Sequence, residues 1–165
     1  MAITDPARLV SLEDSLSQNG LSTAMIKSLK LAHLTLGERA MGADRHKKAE
    51  VHFSKALILS PSDTIALFNK LMAQGHILYK SGKKDRLWEA IQTYHKAAAI
   101  LEDLGEPHYH IGRAYHKIGD RDFDLIIESY DRALDLRLSP ELRELVNEAR
   151  SEAADRDNRL KDFWQ

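Results

Sequence analysis

Residues 30–61 read KLAHLTLGERAMGADRHKKAEVHFSKALILSP, and two features of that stretch decide the fold. Gly37 sits inside an apolar pattern of helical period, where glycine costs about 1 kcal/mol relative to alanine and needs a compensating reason. Further on, Ala49 and Ala56 flank Phe53 at spacings of four and three, so two small residues and one large ring share a helical face. Together they predict a helix that interlocks at close range with the helix before it.

The same order of residues returns twice. Leu71, Gln74, Gly75 and Leu78 precede Ala90, Tyr94 and Ala97; His108, Ile111, Gly112 and Tyr115 precede Ile126, Tyr130 and Ala133. Gly37, Gly75 and Gly112 fall 38 and 37 residues apart, a fixed period that marks stacked helix pairs. On these residues the stretch from about Lys30 to Pro140 resembles a tetratricopeptide repeat array, whose pattern is Trp, Leu, Gly, Tyr on one helix and Ala, Phe, Ala, Pro on the next. Departures are visible. His33, Leu71 and His108 occupy the Trp position, and the second repeat lacks the closing Pro. Extra residues fall in the turns 82–85 and 119–122, and Ile126 replaces the first small residue of the third repeat, predicting a wider helix separation or a shifted register there.

The resemblance implies an all-α chain of about eight helices, a right-handed superhelix of antiparallel helix pairs forming one domain. Residues 1–21 would be an N-terminal capping helix, 22–138 three helix-pair repeats, and 139–165 a C-terminal capping helix. Start and stop signals agree with this division. Asp5 with Pro6, Ser22, Ser60 with Pro61, and Ser139 with Pro140 read as N-caps with or without a first-turn proline. They bound helices from Pro6 to Asn19, then near 22–42, 45–59, 62–81, 85–103, 105–118 and 121–138, and from Pro140 to about Phe163. The last carries Leu142, Leu145, Val146, Ala149, Ala153, Leu160 and Phe163 on one side, a pattern that suits a solvating cap. In the helix 22–42, Leu31, Leu34 and Met41 form a second apolar stripe that needs cover, and the first helix, with Leu9, Val10, Leu12 and Leu16, is the nearest candidate.

Composition narrows the chemistry. Lys plus Arg number 24 against 25 Asp plus Glu, so net charge argues for no particular partner. Residues 21–100 carry an excess of cations and 101–165 an excess of acids, however. The absence of cysteine excludes thiol catalysis and cysteine metal sites. Met1–Arg8 lacks the apolar core of a secretory signal, and no apolar run approaches a membrane span, which predicts a cytoplasmic protein with no membrane partner.

No catalytic, cofactor-binding or metal-ligating set is expected. His108 and His110 point about 200° apart on a helix, and His108 and His116 lie two turns apart. His33 and His108 are expected to pack at aromatic repeat positions with one ring edge wet. Ser81–Lys84 lacks the first glycine of a phosphate loop and has Lys84 where its hydroxyl would be, so it reads as a solvated turn.

What remains is binding. In proteins this chain resembles, the first helices of successive repeats line a groove. Carried over position by position, that groove offers Leu31, Leu34, Glu38 and Met41, then Asn69, Met72, His76, Tyr79 and Lys80, then Glu106, Tyr109, Arg113, His116 and Lys117. Apolar stems beside Lys80, Arg113 and Lys117 imply a protein partner, a peptide or helix segment partly apolar and partly acidic. The positions that clamp the carboxylate end of heat-shock chaperones in one subclass are Leu34, Glu38, Ala73, Glu106 and His110 here, and none matches. Two rival readings are a homo-oligomeric scaffold built through the terminal helices, and RNA association through Lys47, Lys48, Lys83, Lys84 and Arg86. Trp88 and Trp164 read as exposed anchors or local lids.

Overall fold

Side-chain caps set where four of the helices begin. The structure, a computed structural model, describes residues 5–13, 15, 20–119 and 123–163. Its elements are α1 (Pro6–Ser11), α2 (Thr23–Gly42), α3 (His46–Leu59), α4 (Thr64–Lys80), α5 (Lys84–Ile100), α6 (Glu106–Ile118), α7 (Phe123–Asp135) and α8 (Pro140–Phe163). Among the described residues the chain is therefore all-α, with one isolated backbone bridge between Leu104 and Arg137. Asp5 accepts from the Ala7 N–H at 3.0 Å, Ser22 from Met25 at 3.3 Å and Ser139 from Leu142 at 3.2 Å, the caps expected of them. Leu16, Asn19 and Trp164 lie outside the described residues.

One expected cap is displaced. Ser60 and Pro61 form a turn closed by the Asp63 N–H on the Ser60 carbonyl at 3.1 Å, and α4 starts three residues later. Asp63 caps it, accepting from the Ala66 N–H at 2.9 Å and pairing with Lys30 at 2.6 Å. The Lys30 hydrogen bond and the helix amides hold the Asp63 carboxyl below the usual range, since anionic charge is favoured at a helix N-terminus.

The chain divides into two compact units, Met1–Gln74 and Gly75–Gln165, with the boundary inside α4. In the first unit α2 and α3 form a hairpin around Gly37. A Cβ built on Gly37 would meet three atoms of the Phe53 ring within 3.0 Å, so the ring occupies the place of the missing side chain. Ala40, Ala49, Phe53 and Ala73 surround the contact, with Leu34 and Met41 packed against them. Leu31 stays 63% exposed, so α1 does not cover it as expected.

His33 is not wet at one edge but fully buried. Its Nδ1 meets Nδ1 of His52 at 3.1 Å and its Nε2 meets Glu13 at 3.3 Å, while Lys55 also donates to Glu13 at 2.7 Å. When both rings are neutral, His33 donates from Nε2 to the carboxylate and accepts at Nδ1 from His52. Burial pushes both histidines below their ordinary range; Glu13 opposes this at His33, and His33, Lys48 and Lys55 reinforce it at His52. A polar cluster thus ties the segment around Glu13 to α2 and α3.

In the second unit the glycine contact recurs twice. Added Cβ atoms at Gly75 and Gly112 would meet the Tyr94 and Tyr130 rings at similarly forbidden range. The approach at Gly112 is as tight as the others, so Ile126 does not widen the third pair; it is buried beside Tyr130. Phe123, Ile126, Tyr130, Ala133, Val146 and Ala153 form the core between α7 and α8, with Leu142 and Ala149 against it. Arg143 of α8 donates to the Leu134 and Leu136 carbonyls at 2.9 and 3.0 Å, satisfying carbonyls left open at the end of α7. Arg150 pairs with Asp131. Leu145, Leu160 and Phe163 face outward at 50%, 43% and 79% exposure, so α8 caps through its other face.

Gly75→Ala is expected to destabilise the protein by about 1–2 kcal/mol, because overpacking against an immobile ring costs more than the helix propensity that alanine restores. Urea unfolding measures it, and an unchanged or raised midpoint would contradict the contact. For the histidine cluster, the folded values lie below the unfolded value of 6.5, so the unfolded chain binds more protons in acid. Stability is complete above about pH 6.5 and falls as pH drops toward the folded values. The melting temperature should decline between pH 7.5 and 5.5, and the decline should shrink in the His33→Gln, His52→Gln double variant.

Candidate partner-binding site

Helical spacing places one stripe of α6 toward solvent while Ile111, Gly112 and Ala114 are buried. Tyr109, Arg113, His116 and Lys117 recur at spacings of three and four on that stripe, as the repeat positions predict. Tyr79, at the end of α4, completes the set. The Arg113 guanidinium lies over the Tyr79 ring at 5.0 Å and the Tyr109 ring at 5.5 Å, and the Lys117 ammonium stands 4.4 Å from the Tyr79 centroid. Lys117 also donates to the Tyr79 carbonyl at 3.3 Å. Two cations are thereby oriented by aromatic faces, which carry partial negative charge, without being neutralised by them.

Between these groups is an open pocket of about 320 Å³, lined by Tyr79, Tyr109, Arg113, His116, Lys117, Tyr130 and Ala149. Five of the fourteen residues predicted for a groove meet in this one depression. Tyr130 is both the ring wedged on Gly112 and part of the pocket wall, and burial pushes its phenol up, so the hydroxyl remains a neutral donor. His116 accepts at Nε2 from Arg156 of α8 at 2.7 Å. Arg156 and Ala149 had no sequence signal for this role, because only the packing of α8 brings them here.

The other predicted residues are placed differently. Lys80 is exposed and does not line the pocket, and His76 lies within α4 against Tyr94, whose hydroxyl is 2.9 Å from its Nδ1. Leu34, Glu38, Met41, Asn69 and Met72 belong to the first unit. There Glu38 is exposed, Asn69 half-buried, and Leu34 and Met41 are engaged with the Phe53 cluster. Met72 is only 2% exposed: it is a core residue and offers no contact surface.

Histidines 108 and 110 turn away from one another as their spacing requires. His108 joins His95, Ile111, Tyr115 and Arg132 around a shallow depression of about 530 Å³, where burial, Arg132 and His95 lower its pKa. His110 instead faces His76 and Glu106. Trp88 is 39% exposed and meets Tyr115 edge-on at 5.7 Å. Lys47, Lys48, Lys83, Lys84 and Arg86 are all exposed, and Arg86 pairs with Glu89 at 2.7 Å. Among the described residues no helix is long and apolar enough to cross a membrane.

No protein-family model matches the chain, and no curated protein matches it. Among solved structures it is similar to the N-terminal domain of stress-induced protein-1 (STI-1) from C. elegans, at 25% identity over 78% of this chain and 98% of that one, with a TM-score of 0.48. It is also similar to MamA, residues 41 to the end, from Desulfovibrio magneticus RS-1, at 18% identity over 98% of this chain and 96% of that one, again with a TM-score of 0.48. In each of the three helix pairs a glycine lies under an aromatic ring.

Proposed function

We propose that this chain is a non-enzymatic binding module that takes a partly apolar, acidic peptide or helix segment of another protein on α6 and the end of α4. The observation that carries this reading is the pair Arg113 and Lys117, held over Tyr79 and Tyr109 at the mouth of an open pocket. An arginine stacked on rings keeps its planar fork of donors available for a carboxylate, and little rotamer freedom remains to be lost on binding. The half-buried rings beside it suit an apolar or aromatic neighbour of that carboxylate. Anchors of this type, rather than total contact area, dominate peptide affinity.

The terminal helices favour a second reading in one respect only. Leu145, Leu160 and Phe163 are exposed on α8, which is the kind of surface that a homo-oligomeric scaffold would use.

A peptide array that varies Asp or Glu next to Leu, Phe or Tyr tests the first reading. Binding of acidic apolar peptides should exceed that of their Lys-substituted counterparts and weaken as salt rises. Tyr79→Ala combined with Arg113→Glu should reduce it at least tenfold while thermal unfolding stays nearly unchanged. Equal binding by the double variant would remove the pocket from the mechanism.

A further inference from the structure

Glu106 and His110 are four residues apart on α6, so their side chains leave the helix on the same face. His110 Nε2 and Glu106 Oε1 are 3.8 Å apart, beyond hydrogen-bonding distance but close to the separation of two ligands on one ion. From α4, His76 meets His110 edge to face with ring centroids 4.5 Å apart. One ligand atom from each of the three residues lies within 4.8 Å of the other two. Tetrahedral zinc, with bonds of about 2.0–2.2 Å, needs its ligand atoms about 3.4 Å apart, so side-chain rotations on the order of 1 Å close the set.

We propose that His76, Glu106 and His110 bind a divalent late-transition-metal ion, Zn²⁺ by the chemistry of its ligands. Two imidazoles and one carboxylate suit a borderline-soft ion and are too poor in oxygen for Ca²⁺ or Mg²⁺. Three protein ligands leave a tetrahedral ion one position for water or an external donor.

The surroundings orient the ligands before any ion arrives. The hydroxyl of Tyr94 lies 2.9 Å from His76 Nδ1. When that nitrogen carries the proton and donates it to the hydroxyl oxygen, Nε2 is left as the metal ligand, the arrangement by which a partner behind a histidine fixes its tautomer. Tyr94 is fully buried beside the site. Its ring also stacks on His110 at 5.3 Å and 24°. A single immobile tyrosine, the one wedged on Gly75, therefore positions both imidazoles. Arg113, one turn beyond His110, adds a cation near the site and keeps the expected affinity moderate.

Isothermal titration of the chelator-treated full chain with ZnSO₄ at pH 7.5 tests this. One equivalent should bind with a dissociation constant on the order of 10 µM. Glu106→Gln and His110→Ala should each weaken binding at least tenfold with the helical circular dichroism intact, and His95→Ala, at a histidine away from the site, should bind as the parent does. With Co²⁺ in place of Zn²⁺, the parent should show the visible absorption of a tetrahedral ion and Glu106→Gln should lose it. Absence of saturable Zn²⁺ binding, or binding unaffected by Glu106→Gln and His110→Ala, would overturn the proposal.

Discussion

An aromatic ring seated where a side chain is missing is the contact on which the rest of this protein depends. Phe53 on Gly37, Tyr94 on Gly75 and Tyr130 on Gly112 each bring two helices closer than any residue with a Cβ allows. Glycine in a helix is unfavourable by itself, and the ring offsets that cost with dispersion contacts and buried area. All three rings are at most 1% exposed, so these contacts are the centres of their hairpins. Alanines on either side of each ring, with Ile126 as the one exception, keep the helices near enough for the ring to reach.

The two tyrosines extend that packing into polar chemistry. Phe53 has no hydroxyl and ends in an apolar cluster, whereas Tyr94 places its hydroxyl on His76 and Tyr130 forms part of the cationic pocket. In the second unit the residues that lock the hairpins therefore also set the floor of the surface presented to a ligand. Arg113 and Lys117 take their orientation from Tyr79 and Tyr109 in the same manner, by resting on ring faces rather than by pairing with carboxylates. A cation held this way retains its donors for a guest.

Much of this was legible in the sequence because it is periodic. The glycine spacing, the small and aromatic alternation, and the caps at Asp5, Ser22 and Ser139 are local signals with one physical meaning each. Tyr79, Tyr109, Arg113, His116 and Lys117 came from the repeat resemblance, and spacings of three and four explain only why the last four share one face of α6. Tertiary competition accounts for what was missed. Asp63 outcompeted Ser60 as a cap because Lys30, thirty-three residues away, holds its carboxylate. Met72 looked available from its helix position, but packing took it into the core. His33 drew Glu13 and His52 around itself, and the meeting of His76 with Glu106 and His110 depends on the packing of the second unit, not on any spacing within one helix. The pair Glu106 and His110 was the one local clue to that cluster.

A double-mutant cycle at Gly112 and Tyr130 tests the central claim most directly, with unfolding free energies measured in urea for Gly112→Ala, Tyr130→Leu and the two together. Because the added methyl and the ring compete for one space, the account predicts strong coupling: Gly112→Ala destabilises the parent but costs little or nothing once Tyr130 is leucine. Strict additivity, with alanine equally harmful beside either residue, would show that the ring does not depend on the bare glycine and would contradict the account.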